Sequence, residues 1–225
     1  MQKNKEKFNF LVNLGKIFSK NKINFLPIKF YDKDYDVDVV VGEKKFLLAQ
    51  KILEKNGFIP ERSLISRIKE PEKKFFHSGG KFSVHLHSKI SWYGIEYINF
   101  KNVWERKIKI KNLFFPSESD EILIMAAHSI FENRRITKEQ RNYFSKARKK
   151  VDWNYVLSSA KKYNWNLAFK IFLKKMNSKT NSYSFRELFA AYTSKFIYDL
   201  FKARFLTLPR QIIVYTFFLL RRCIC

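Results

Sequence analysis

Asp36 and Asp38 stand two residues apart in the stretch "YDVDVVV", residues 35–41. Alternate side chains of an extended strand share a face, so the two carboxylates point one way while Val37, Val39 and Val41 point the other. Like charges held side by side repel, and withdrawing them from water costs further free energy unless something compensates. Two arrangements meet that need. Either the strand lies at a wet sheet edge, or a divalent cation is held there and the pair belongs to a reactive site. The stretch "FSVHLHS", residues 82–88, has the same alternation. Ser83, His85 and His87 share one face; Phe82, Val84 and Leu86 share the other. His85 and His87 are thus expected either to face Asp36 and Asp38 across the sheet or to be ordinary exposed strand residues. Two Asp with two His suit Mn²⁺, Zn²⁺ or Fe²⁺ better than the all-oxygen site Mg²⁺ prefers.

The elements around these residues follow from hydrophobic period. Phe8, Leu11, Val12, Leu14 and Phe18 recur at helical spacing, which predicts a first helix. "INFLPIKFY" reads as an irregular strand whose Pro27 belongs at an edge. "EKKFLLAQKILEKNGF" predicts an amphipathic helix with Phe46, Leu47, Ala49, Gln50, Ile52 and Leu53 inward and Gly57 as its stop. From Arg62 to Ile110 the period falls to two. "SLISRIKE", "KKFFHS", "KFSVHLHSKISW" and "RKIKIKN" are expected as strands, with a turn at "SGG", residues 78–80. Pro116, a cap at Ser117 or Ser119 and three acids then open a helix of up to five turns, with Ile122, Leu123, Met125, Ala126, Ser129 and Ile130 inward. Two helices are expected within residues 151–176 and another within 184–206. The fold class is therefore α+β: a mixed sheet with flanking helices over residues 1–112, then a helical part over 113–225.

Taken in order, "PIKF", "DVDVVV", "AQKILEKNGF", "SVHLHSKISW", "DEILIMAAHSIFE" and "VDWNYVLSSAKKYNW" carry a family likeness. From about Ile23 to Met176 the chain resembles a poorly characterised family of the polymerase-beta-like nucleotidyltransferase superfamily. The resemblance implies a nucleotidyltransferase-like fold that transfers a nucleoside monophosphate from an NTP to a hydroxyl acceptor, on a small molecule, a sugar or an RNA end. It implies Mg²⁺ or Mn²⁺ as cofactor, with Asp36 and Asp38 as catalytic metal ligands. His85 falls where a third carboxylate is usual, His87 is a further ligand, and Lys29 meets the nucleotide's phosphates. Two departures accompany it. No glycine lies between Gly15 and Asp36, and Lys29 cannot supply the close backbone approach that a Gly-Ser turn permits. His85 also replaces an acid. These departures support a second expectation, a catalytically degenerate descendant that binds nucleotide, RNA or a protein. His128 is read as a satisfied semi-buried histidine, His77 as a bystander, and Trp92, Trp104, Trp153 and Trp165 as core or core-edge residues.

Among 225 residues, 45 Lys and Arg outweigh 20 Asp and Glu, giving a net charge of +25. Such charge favours an anionic partner, although an A+T-rich coding sequence also enriches lysine. A hydrophobic share of 46% is enough for a real core and excludes a disordered chain. The N-terminus lacks the apolar run of a signal peptide, and Cys223 and Cys225 cannot staple a fold, so a cytoplasmic protein is expected. The tail "LPRQIIVYTFFLLRRCIC" is apolar from Ile212 to Leu220 between Arg210 and the Arg221–Arg222 pair, too short to span a bilayer. It reads as a last packed helix or, alternatively, as a peripheral anchor on an anionic membrane surface, with the cysteines as acylation sites. P-loop, dinucleotide-binding, C-x-x-C and G-x-S-x-G patterns are all missing.

Overall fold

Leu11, Leu14 and Phe18, spaced by three and four residues, form the buried stripe of helix α1 (Gln2–Lys20). The computed structural model describes residues 2–31, 35–61, 72–77, 80–92 and 95–201. Five strands form the main sheet: β1 (Leu26–Ile28), β2 (Asp36–Val40), β3 (Phe58–Pro60), β4 (Glu72–His77) and β5 (Ser83–His87). Their spatial order is β1-β2-β5-β4-β3, with β2 and β5 parallel and every other pair antiparallel. Pro27 sits in the edge strand, where its missing N–H breaks no inner ladder.

The pleat sorts the two faces. Val37, Val39, Phe75, Val84 and Leu86 point to a first core closed by α1 and by α2 (Glu43–Lys55). Helix α2 buries Ala49, Ile52 and Leu53. Leu47, expected inward, is 70% exposed. At about 100° per residue it lies far around the helix from the Ala49–Ile52–Leu53 stripe, and a helix resting on one layer has only that stripe to bury. Gln50 lies at the margin and accepts a hydrogen bond from Lys73 Nζ at 3.3 Å.

Leu26, Ile28 and Val40 face the second, larger core. It is reached through hairpin β6–β7 (Ile90–Trp92, Ile95–Ile98), helix α3 (Phe100–Glu105) and hairpin β8–β9 (Ile108–Ile110, Leu113–Phe115). Asn112 lies at the turn of the second hairpin, and Leu113 and Phe115 pack into the first core. Helices α4 (Glu118–Ala127), α5 (Lys138–Ala147), α6 (Trp153–Lys162), α7 (Asn166–Met176) and α8 (Phe185–Phe201) complete the chain as described.

Helix α4 departs from the amphipathic expectation. Every residue from Ser119 to Ala127 is buried, Ile124 included, because sheet and helices surround it. It does not continue regularly either: His128–Asn133 is a π-helical segment closed by Arg134 in the left-handed conformation (φ 54°). Polar groups fix the neighbouring helix starts. Ser117 Oγ accepts from the Asp120 N–H at 3.2 Å, Thr137 and Gln140 form a capping box, and Asp152 caps α6. The Asp152 N–H in turn donates to Ser119 Oγ at 2.9 Å, which ties α6 to α4. Trp165 is fully buried and its Nε1–H donates to the Tyr97 carbonyl at 3.1 Å; Trp104 and Trp153 are partly buried at the core margin. The strand expected at "SLISRIKE", the side chain of Trp92 and the C-terminal tail from Ile212 to Cys225 lie outside the described residues. Among the described residues no helix is long and apolar enough to cross a membrane.

Truncating Trp165 to Ala removes the largest fully buried side chain among the described residues and its hydrogen bond, so it should cost about 3–5 kcal/mol. Leu47→Gln should change stability by less than about 0.5 kcal/mol. Urea midpoints of the two variants check both; equal losses would contradict the placement of the cores.

Candidate active site

The parallel pairing of β2 and β5 places Asp36 opposite Ser83, Asp38 opposite His85 and Val40 opposite His87. All six therefore share the face that looks into the second core. Asp38 is 9% exposed, and its Oδ1 is the meeting point of the site. His87 Nε2 lies 3.0 Å from it, His85 Nδ1 3.3 Å and Lys29 Nζ 3.0 Å. The two imidazole rings lie 4.4 Å apart. His87 is buried, whereas His85 is partly open to solvent and forms the accessible side of the cluster.

Burial pushes the Asp38 carboxyl up, but Lys29 first and then the two histidines outweigh it and hold the group well below the usual carboxylate range. A buried carboxylate of this kind is compensated by charge-assisted bonds rather than by water.

Lys29 reaches Asp38 through an unusual backbone. It follows β1 directly and has φ 54°, a left-handed conformation that costs a non-glycine residue roughly 1 kcal/mol or more. Its N–H donates to Glu121 Oε1 at 2.8 Å, so an acid of α4 pins the turn that aims the ammonium.

Asp36 occupies the neighbouring pleat position on the same face. Its carboxylate accepts from Lys74 Nζ at 2.8 Å and from the Ser83 hydroxyl, and it is not one of the three residues whose ligand atoms converge. His77 is exposed and packs edge-on against Phe58 at 4.8 Å, away from the cluster.

The π segment adds residues that the sequence pattern did not single out for the site. Across it, His128 Nε2 stands 3.0 Å from Glu132 Oε2. Burial raises the Glu132 carboxyl, yet His128 and then Lys29 more than offset this and keep it well below its ordinary range, with the Asp38 charge opposing them. Glu132 thus belongs to the electrostatic surroundings of Lys29 and Asp38. The available signal was the four-residue spacing of His128 and Glu132, which a helical turn brings together. Glu121 was legible only as a helix-start acid, because its bond to Lys29 is made 92 residues away in sequence.

Asp38, His85 and His87 each offer one ligand atom, and the three atoms lie within 4.8 Å of one another. One carboxylate oxygen with two imidazole nitrogens is a donor set for Mn²⁺, Fe²⁺ or Zn²⁺, so these residues fit a divalent ion. Such an ion would displace the histidine N–H protons and the Lys29 ammonium that now satisfy Asp38.

A mixed five-stranded sheet flanked by helices, with an Asp/His cluster on its parallel strand pair, fits the nucleotidyltransferase fold. The chain belongs to a family described as uncharacterised nucleotidyltransferase, whose model matches residues 35–178. No curated protein and no solved structure matches the chain.

Removing the ammonium alone, as in Lys29→Met, strips a buried carboxylate of its nearest cation and should destabilise the fold by about 3–5 kcal/mol. Adding Asp38→Asn should recover much of that loss. A double-mutant cycle in urea checks the coupling, and additive losses would contradict it.

Proposed function

We propose that this protein transfers a nucleoside monophosphate from an NTP to a hydroxyl group on a small molecule, sugar or RNA end. The observation that carries the reading is the convergence of Asp38, His85 and His87 beside Lys29, on a strand pair that lies inside the family match over residues 35–178. Asp38, His85 and His87 would hold the divalent ion, with Asp36 at the next pleat position as a second carboxylate toward solvent. When bound, the ion supplies positive charge to the phosphate oxygens and lowers the pKa of the attacking hydroxyl.

The chain's own residues do the rest by charge and position. Lys29 carries the ammonium closest to the cluster, and an arriving triphosphate offers it a replacement for Asp38. Lys74 fixes Asp36 through its ion pair, and Ser83 holds the other carboxylate oxygen. The nitrogen-rich donor set favours Mn²⁺ over Mg²⁺ in this reading.

A second reading has its own support. Asp36 is already engaged by Lys74 and Ser83, and an imidazole stands where a third carboxylate is usual. A neutral imidazole does not screen divalent ions as an acid does. Those features suit a descendant that binds nucleotide without turning it over.

Incubation with labelled NTPs and a panel of hydroxyl acceptors separates the two. Transfer should be faster with Mn²⁺ than with Mg²⁺, and Asp38→Asn should lower it by about a hundredfold or more, the scale of losing one electrostatic clamp. Millimolar Mn²⁺ should also raise the melting temperature, and Asp36→Asn with Asp38→Asn should abolish that rise. Transfer or a Mn²⁺ shift that survives the double change would refute the assignment. Salt-sensitive nucleotide binding without transfer, for the parent and for His85→Asp alike, would leave the binding descendant as the correct reading.

A further inference from the structure

One residue beyond Lys29 the chain enters a cleft of about 430 Å³, within the roughly 300–1,000 Å³ range of small-molecule sites. Phe30 and Tyr31 supply its near wall. Phe30 packs edge-on with Phe115 at 5.4 Å, Phe115 lies parallel to Phe8 at 6.5 Å, and Tyr31 faces Tyr143 of α5 at 5.3 Å. Two carboxylates, Glu118 and Glu121, also line it, together with Lys146 and Lys150. The Glu118 carboxylate is paired with Lys150 at 3.6 Å. Glu121 is the acid that holds the Lys29 N–H, so cleft and cluster share a wall.

The chemistry of the lining narrows the occupant. Aromatic rings along the lining favour a flat π face over a flexible chain. The Glu118 and Glu121 carboxylates already hold Lys150 and the Lys29 N–H, and with Lys146 the lining offers both acceptors and donors rather than a purely hydrocarbon surface. A ring that carries amino, carbonyl and ring-nitrogen groups meets both kinds of partner. The Tyr143 hydroxyl, held protonated by burial and by the charges of Glu121 and Glu118, adds a donor for a ring nitrogen or carbonyl.

We propose that this aromatic cleft receives the base of the nucleoside triphosphate whose phosphates meet Lys29 and the Asp38 cluster. The proposal rests on the transferase reading for the phosphates but adds a separate, base-binding half to the site. Phosphate and base then lie on either side of the left-handed turn at Lys29, and the Glu121 bond that fixes this turn sets their separation.

Calorimetric titration of the full chain in Mn²⁺ with the four NTPs and with inorganic tripolyphosphate tests this directly. The best NTP should bind about tenfold or more tightly than tripolyphosphate, the factor that one stacked base contributes. Ile110→Trp fills the cleft from a cleft-lining position that is 45% exposed and so spares the core. It should bring NTP affinity down to that of tripolyphosphate while leaving tripolyphosphate affinity and the melting temperature unchanged. Tyr143→Leu, which also removes packing on Tyr31, should lower NTP affinity and spare tripolyphosphate binding at some cost in melting temperature. Equal affinity of the parent for NTPs and tripolyphosphate would overturn the cleft and spare the transferase reading. So would NTP binding that Ile110→Trp leaves intact. If neither phosphate compound binds, the transferase reading fails and nucleosides alone decide the cleft. Nucleoside-induced shifts of the Tyr31 and Tyr143 ring resonances, lost in Ile110→Trp, support it, and unshifted rings overturn it.

Discussion

A carboxylate buried in the middle of a sheet governs this structure. Asp38 lies between strands, on the face turned toward the larger core, with one oxygen taking contacts from an ammonium and two imidazoles. An isolated charge there would be prohibitive, since a buried carboxylate without partners protonates or unfolds its surroundings. Each partner therefore imposes a requirement on the fold. The parallel register of β2 and β5 delivers the histidines. The left-handed turn at Lys29 delivers the ammonium, and Glu121 holds that turn from the first turns of α4.

The same requirement accounts for features of the helical layer. Helix α4 is buried on all sides and still carries Asp120 and Glu121 at its start, where the helix N-terminus favours negative charge. Burial pushes the Asp120 carboxyl up despite hydrogen bonds from the Ser117 and Tyr155 hydroxyls and the nearby Arg106 guanidinium. Arg106 in turn stacks 3.5 Å over the Tyr155 ring. These contacts lock α3, α4 and α6 together and so keep Glu121 in register with Lys29. The π segment at the other end of α4 turns Glu132 toward the same charges. Such segments recur where a helix must re-aim side chains at a functional site.

Much of this arrangement was legible in the sequence. The alternation in "DVDVV" and "SVHLH" is strict enough to assign faces, and an in-phase pairing follows because a slip of one residue would drive aspartates and histidines into the apolar core of α1 and α2. Strand direction does not follow from alternation, and the parallel pairing is seen only in the structure. The order of motifs placed Lys29 near the acids. What stayed hidden depends on tertiary contact. Leu47 belongs to an apolar helix segment wider than the surface available to bury it. Ile124 falls outside the inward stripe that period predicts, because period alone does not reveal a helix enclosed on every side. Glu121 reads only as a dipole acid, since its partner Lys29 lies on another element. Asp36 and Asp38 look equivalent on paper, yet the cross-strand Ser83 and Lys74 from the next strand over occupy the first, and Lys29 with the two histidines the second.

Diffraction from crystals soaked in Mn²⁺, with data collected for the anomalous signal of manganese, tests the central claim most directly. The account predicts an anomalous peak bound by Asp38, His85 and His87, with the Lys29 ammonium withdrawn from Asp38. An absent peak, with Lys29 still paired to Asp38 at saturating Mn²⁺, would show that the lysine alone balances the buried charge and would contradict a metal-dependent site.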